Sequence, residues 1–166
     1  KESEEYFCYG ADDGNLDYYI LGGETMAEVI KNYTYLTGRT PLPQLWTLGY
    51  HQSRWGYTSA KDIMEIAEKY RKLQIPCDVI HLDIDYMDNF KVFTWDEEYY
   101  DKKGVLCDKM EQLGFKPVTI IDPGTKKEDG YFMYEEGVEK DYFAKDTEGN
   151  IYVNEVWPGE SVFPDF

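Results

Sequence analysis

Three carboxylates, Asp83, Asp85 and Asp88, fall within six residues where the apolar run Val79-Ile-His-Leu82 gives way to polar chain. An ionised carboxylate accepts charge-assisted hydrogen bonds about twice as strong as neutral ones, so Asp83 is suited to gripping a hydroxyl-rich ligand. Unpaired carboxylates in a low-dielectric site cost on the order of several kcal/mol, and such a cluster must have partners. The structural alternative is a set bonded to backbone N–H groups and to Arg54, and for Asp85 and Asp88 taken singly that alternative is preferred. His51-Gln-Ser-Arg54-Trp55-Gly-Tyr57 adds donors and rings. Trp55 is either a stacking platform for a sugar ring or a ring packed under the next loop.

Two further segments carry candidate groups. Asp122-Pro-Gly follows another apolar run and reads as a turn carboxylate unless it shares a rim with Asp83. In Glu155-Val-Trp157-Pro-Gly-Glu160 the Trp is held by a turn, where fixed aromatics often line pockets. Nothing in the spacing sets Glu155 and Glu160 at the ~5–5.5 Å that a retaining glycosidase requires, so neither is assigned catalysis. A strand ending in Asp83-x-Asp85 also matches the nucleophile signature of haloacid-dehalogenase-like phosphatases, where two Asp hold Mg²⁺. The Tyr86-Met-Asp88 that follows departs from that pattern, and the net charge of −16 opposes a phosphate-bearing substrate.

The elements that must position these residues repeat as strand, polar tip, helix, strand. Trp46 to Tyr50 is predicted as the first strand, and Ser59 caps a helix whose inner face carries Ile63, Ile66, Ala67, Tyr70 and Leu73. Asp78 to Leu82 is the second strand, Lys103 to Leu113 a helix and Val118 to Ile121 the third strand. Strand, helix, strand implies parallel pairing, which an open doubly wound sheet and a closed (β/α) barrel share. The absence of a Gly-rich phosphate loop, with carboxylates at both later tips, favours the barrel. Before this run, Leu16 to Leu21 reads as a strand closing an earlier unit, with a boundary near Gly22, and Thr25 to Leu36 reads as an amphipathic helix.

Composition narrows the partners. Acidic residues number 33 against 17 Lys and Arg, which disfavours nucleic acid and anionic membrane surfaces. The 16 tyrosines suit neutral polyols, although core packing accounts for most of them. Cys8, Cys77 and Cys107 offer no disulfide framework and no zinc spacing, so buried free thiols are expected, and the missing disulfide pattern leans towards a cytoplasmic protein.

The motifs Leu48-Gly-Tyr-His-Gln-Ser-Arg-Trp-Gly-Tyr57, Ile75-Pro-Cys-Asp-Val-Ile-His-Leu-Asp-Ile-Asp-Tyr-Met-Asp88, Ile120-Ile-Asp-Pro123, Val156-Trp-Pro-Gly159 and Phe163-Pro-Asp165 stand in the order found in glycoside hydrolase family 31. The chain resembles the first part of that family's catalytic domain over nearly its whole length.

The resemblance implies an α/β fold, the first part of a (β/α)8 TIM barrel over residues 23–166, preceded by the last strand of an N-terminal β-sandwich within residues 1–22. It implies a retaining α-glucosidase acting on short α-glucosides without metal or organic cofactor. Asp83 resembles the carboxylate that binds the non-reducing sugar, and Ile84 would lie against that sugar. Ile120 and Trp157 resemble the pocket walls, Asp122 the carboxylate at its floor, and Trp55 an aromatic near the next sugar. The family's nucleophile, an Asp in a Trp-x-Asp motif, and its acid have no counterpart before Phe166, so no catalytic residue is assigned and the remainder of the polypeptide is an expected partner. A noncatalytic carbohydrate-binding fragment is the alternative reading.

Overall fold

The computed structural model describes residues 8–11, 13–102 and 104–165. The chain divides into two compact units, Lys1–Leu42 and Pro43–Phe166.

In the first unit, helix α1 spans Met26–Thr37. Its start is written locally: the Thr25 hydroxyl accepts from Glu28 N–H at 3.3 Å while the Glu28 carboxylate accepts from Thr25 N–H at 3.3 Å, a reciprocal capping box. The predicted apolar stripe forms, yet Met26, Ile30, Tyr33 and Leu36 are all exposed. The strand expected at Leu16–Leu21 does not form among the described residues. A ladder needs a neighbouring strand to exchange N–H and C=O bonds, and a strand-like composition supplies only one side of it. Residues 1–7 of the expected sandwich segment lie outside the described residues.

The second unit opens as a βαβαβ run. Strand β1 is His51–Gln52, helix α2 Ala60–Lys72, β2 Val79–Leu82, α3 Val105–Gln112 and β3 Lys116–Thr119. The strands lie parallel in the order β1-β2-β3, with His51 opposite Val79 and Leu82 opposite Thr119. This is the crossover topology expected of strand-helix-strand chains.

Several boundaries differ from the sequence reading. Leu45–Leu48 is a 3₁₀ turn rather than the start of β1, closed by bonds from Thr47 N–H to Gln44 C=O and from Gly49 N–H to Trp46 C=O. Pleated pairing begins only where β2 offers a partner, with Asp78 N–H and Val79 N–H both donating to Tyr50 C=O. Strand β3 starts two residues earlier than predicted, and the expected helix start at Lys103 lies outside the described residues.

Helices α2 and α3 cover one face of the sheet. Ile63 and Ala67 of α2, Ile80 and Leu82 of β2, Leu106 and Met110 of α3, and Phe115 form one buried cluster. Each larger side chain there contributes about 1.5–3 kcal/mol relative to exposure. Leu73, predicted to face inward, is exposed, because α2 ends at Lys72 and the chain turns away. Arg71 pins this end: its guanidinium lies 3.6 Å from the Phe115 ring centroid, and Nε donates to Leu113 C=O at 2.7 Å.

A second sheet follows. Strand β4 is Thr125–Lys126, helix α4 Phe132–Glu139, β5 Val153–Val156 and β6 Gly159–Val162. The strands are antiparallel in the order β4-β6-β5. All three cysteines are free, but only Cys77 is buried; Cys107 is half-buried and Cys8 exposed, so the expectation of buried thiols holds for one of three.

Candidate functional site

The polar residues singled out in the sequence gather where the three parallel strands end. Side chains alternate across a strand, so Ile80 and Leu82 enter the helix-covered core while His81 and Asp83 take the opposite face. Asp83 is half-buried and caps a 3₁₀ turn at Ile84–Tyr86, its Oδ1 accepting from Ile84 N–H at 2.8 Å. Only part of its accepting capacity is used there, which leaves lone pairs for a ligand hydroxyl. Ile84 itself is 6% exposed and packs in the core cluster.

Asp85 is in a harsher position. Its Oδ2 is buried and accepts no hydrogen bond. Burial, and then the neighbouring Asp83 charge, push its carboxyl above the ordinary range, with a weak opposing pull from the Trp55 indole. Asp88 has a structural role, as the alternative reading held, but its partners are the Lys91 and Asn89 side chains rather than Arg54 or backbone N–H groups: Lys91 Nζ lies 3.0 Å from its Oδ2, and the Asn89 amide donates to its Oδ1 at 2.6 Å.

Tyr86 joins the second tip to the third. It is buried, and its hydroxyl donates to Ile120 C=O at 2.9 Å. Ile120 N–H donates to Leu82 C=O at 3.1 Å, which sets the chain leading to Asp122 beside the end of β2, and burial, with the Asp122 charge adding to it, pushes the Tyr86 phenol up. Ile120 is 38% exposed.

Trp55 and Trp157 are 69% and 68% exposed. Trp157 occupies the tight turn between β5 and β6, where Val156 pairs with Gly159. Gly124, two residues after Asp122, lies so close to Val156 that a Cβ there would meet the valine Cγ2 at 2.7 Å, which couples the Asp122 segment to the Trp157 hairpin. In the same hairpin Glu155 and Glu160 face each other, and Lys127 Nζ reaches Glu160 at 3.5 Å. Both carboxylates are exposed on the sheet surface.

The sequence reading gave His51 only as part of a donor-bearing stretch and assigned no role to His81, Tyr86 or Lys91. His51 Nδ1 and His81 Nε2 lie 3.1 Å apart, and Trp46 stacks on His51 with ring centroids at 6.3 Å. The signal for His81 was its place two residues before Asp83, on the same strand face. For Lys91 it was being the one basic residue between Asp83 and Asp101.

Parallel strands with covering helices on one face and polar residues at their C-terminal ends are the arrangement of a (β/α) barrel segment, which an open doubly wound sheet shares. Residues 40–166 match the family model described as the glycosyl hydrolases family 31 TIM-barrel domain. The chain belongs to glycosyl hydrolase family 31. It is 47% identical over 164 residues to alpha-glucosidase 2 of Bacillus thermoamyloliquefaciens, covering 99% of this chain and 21% of that relative. Among solved structures it resembles a glucosidase II alpha subunit in its Glc1Man2-bound form, with TM-score 0.81 and 40% identity over 86% of this chain and 16% of that one. A Flavobacterium johnsoniae dextranase of the same family, complexed with isomaltotriose, gives TM-score 0.78 and 30% identity over 86% of this chain and 18% of its own. The chain thus spans about a fifth of the length of the relatives it matches. Membership in this family displaces the phosphatase reading of Asp83 and Asp85.

Proposed function

We propose that this chain is the sugar-gripping opening section of a retaining α-glucosidase that removes terminal α-linked glucose from short oligosaccharides. The observation that carries the reading is the convergence of Asp83, Tyr86, Ile120 and Asp122 at neighbouring strand tips in a family 31 barrel segment. In this proposal Asp83 accepts hydroxyls of the non-reducing sugar, Ile120 bounds that sugar, Ile84, packed in the core, supports Asp83 from behind rather than lying against the sugar, Trp157 supplies an aromatic wall and Asp122 supports the floor. Trp55 stacks near the next sugar. The names of the relatives support the substrate class: one is an alpha-glucosidase, and the solved neighbours carry Glc1Man2 and isomaltotriose.

The attacking and protonating carboxylates of a retaining glycosidase would come from the remainder of the polypeptide, since none of the motifs between Leu48 and Asp165 contains the Trp-x-Asp pattern. Residues 1–22 are proposed as the end of a β-sandwich domain and residues 23–166 as the barrel section. Bare strand edges at β1 and β3 and exposed Leu45, Leu48, Tyr50 and Ile121 suit burial against further barrel strands.

Glucose release from maltose and isomaltose by residues 1–166 and by the full-length gene product tests this reading. Release only by the full-length protein supports it. Release by neither points to a noncatalytic carbohydrate-binding fragment, and release by residues 1–166 alone overturns the placement of the chemistry.

A further inference from the structure

The loop that follows Asp83 is tied to the sheet that carries Trp157 by a small charged network. Lys91, with a side chain 14% exposed, sets Nζ 3.0 Å from Asp88 Oδ2 and 3.0 Å from Glu128 Oε1. The other oxygen of Glu128 takes Lys126 Nζ at 2.6 Å. Lys126 lies in β4, opposite Ser161 of β6, and the next residue, Lys127, donates its N–H to Glu160 C=O at 2.8 Å. Strand β6 then pairs with β5 up to the Trp157 turn. A continuous set of polar contacts therefore runs from the Asp83 loop to the Trp157 hairpin, with Lys91 as its least exposed cation.

We propose that Lys91 is a positioning residue which, through Glu128, fixes the Trp157 wall relative to Asp83 and so sets how tightly the sugar between them is held. The inference rests on the sugar-binding reading of Asp83 and Trp157. Three features separate it from a plain surface ion pair. Lys91 bridges two carboxylates on different segments rather than one, and both Glu128 oxygens are engaged. Holding two anions raises the Lys91 ammonium above its usual range, and the two lysines lower Glu128. The backbone beside it is strained, with Asn89, Phe90 and Phe93 at φ of 49°, 61° and 60°, a conformation that surrounding contacts such as this tie must hold in place.

This region has a second tie beside that one, through Tyr131, whose ring centroid lies 5.9 Å from Lys91 Nζ. The buried Tyr131 hydroxyl donates to Val92 C=O at 2.7 Å and independently joins the loop to the segment before α4. Removing the Lys91 charge should therefore leave the fold in place and release the hairpin's orientation.

The test uses the full-length gene product labelled with 5-fluorotryptophan, its Trp157 resonance assigned by Trp157→Phe, the single variants Lys91→Met and Glu128→Gln, and Lys91→Arg as the charge-keeping control, since a charge swap would set like charges against Asp88 and Lys126. The expected result is a Trp157 signal shifted or broadened in both single variants and close to the parent in the Lys91→Arg control, with the Trp46 signal unmoved. In active protein KM for maltose should rise roughly tenfold in the single variants with kcat within about twofold, the pattern of lost binding rather than lost chemistry. A Trp157 signal unchanged in both single variants overturns the proposal, as does a loss of melting temperature with KM and the Trp157 signal unchanged. If the parent releases no glucose, the α-glucosidase reading fails while the Trp157 resonance still decides the role of Lys91.

Discussion

His51 Nδ1 and His81 Nε2 stand 3.1 Å apart across the adjacent parallel strands β1 and β2, while His51 Nε2 is buried with no partner. Two ring nitrogens at this distance share one proton, so one imidazole donates and the other accepts. Burial, and then the neighbouring His51, lower the His81 pKa from its ordinary 6.5.

That lowering fixes the direction of a pH effect. Above the unfolded value of 6.5 both states leave His81 neutral and its contribution is constant. As pH falls below that value the unfolded chain takes up a proton that the folded chain resists, and stability declines until the lowered folded pKa is reached. Urea unfolding followed from about pH 8 to about pH 5 should show this decline, and His81→Asn should flatten it. An equally steep decline in the variant would remove His81 as its source.

Asp85 gives the opposite dependence. Its folded carboxyl titrates above the ordinary 3.8, so its charge disfavours the folded state at neutral pH. The folded chain takes up this proton first as pH falls, and the disadvantage shrinks between the raised folded pKa and 3.8. Asp85→Asn should therefore raise the unfolding midpoint at neutral pH, and its advantage should fade on acidification. A lower midpoint at neutral pH would mean that Asp85 holds a charged partner.

The Tyr86 hydroxyl is the polar tie between the β2 and β3 tips. Tyr86→Phe leaves Ile120 C=O without its donor at 2.9 Å, a loss of about 0.5–1.5 kcal/mol for a part-buried bond. Chemical denaturation should register that cost. Glucoside affinity should fall with it, because Ile120 and Asp122 are then less firmly held beside Asp83.

Trp55, 69% exposed at the β1 end, has room to contact a second sugar. Trp55→Tyr in the full-length enzyme should change the ratio of maltose to isomaltose hydrolysis by several-fold, on the order of 1 kcal/mol of differential contact. An unchanged ratio would remove Trp55 from linkage selection.

Local patterns in the sequence carried the helices. Ser59, with Asp62, caps α2 at the residue expected, and Thr25, read only as the first residue of α1, proves to cap it with Glu28, because capping is a contact between neighbours in the chain. The apolar spacing of Ile63 and Ala67 likewise identified the buried face of α2, and the motifs at Asp83 and Asp122 identified strand tips. Strand limits were not legible in the same way. Leu45–Leu48 became a turn and Leu16–Leu21 formed no ladder, since a strand's extent depends on a partner distant in sequence.

Residue types and order determined the family motifs, the parallel βαβ order and the carboxylates at the tips. Only the tertiary structure decided which carboxylate stays available. Asp88 is taken by Lys91, Asp85 is buried beside Asp83, and Asp83 keeps accepting capacity at the strand end. The same holds for His81 against His51, Tyr86 against Ile120 and Lys91 against Glu128, which are 30, 34 and 37 residues apart in the chain. Such pairs leave no periodic trace in sequence because their spacing is set by sheet register and loop path, and these exist only once the strands have packed.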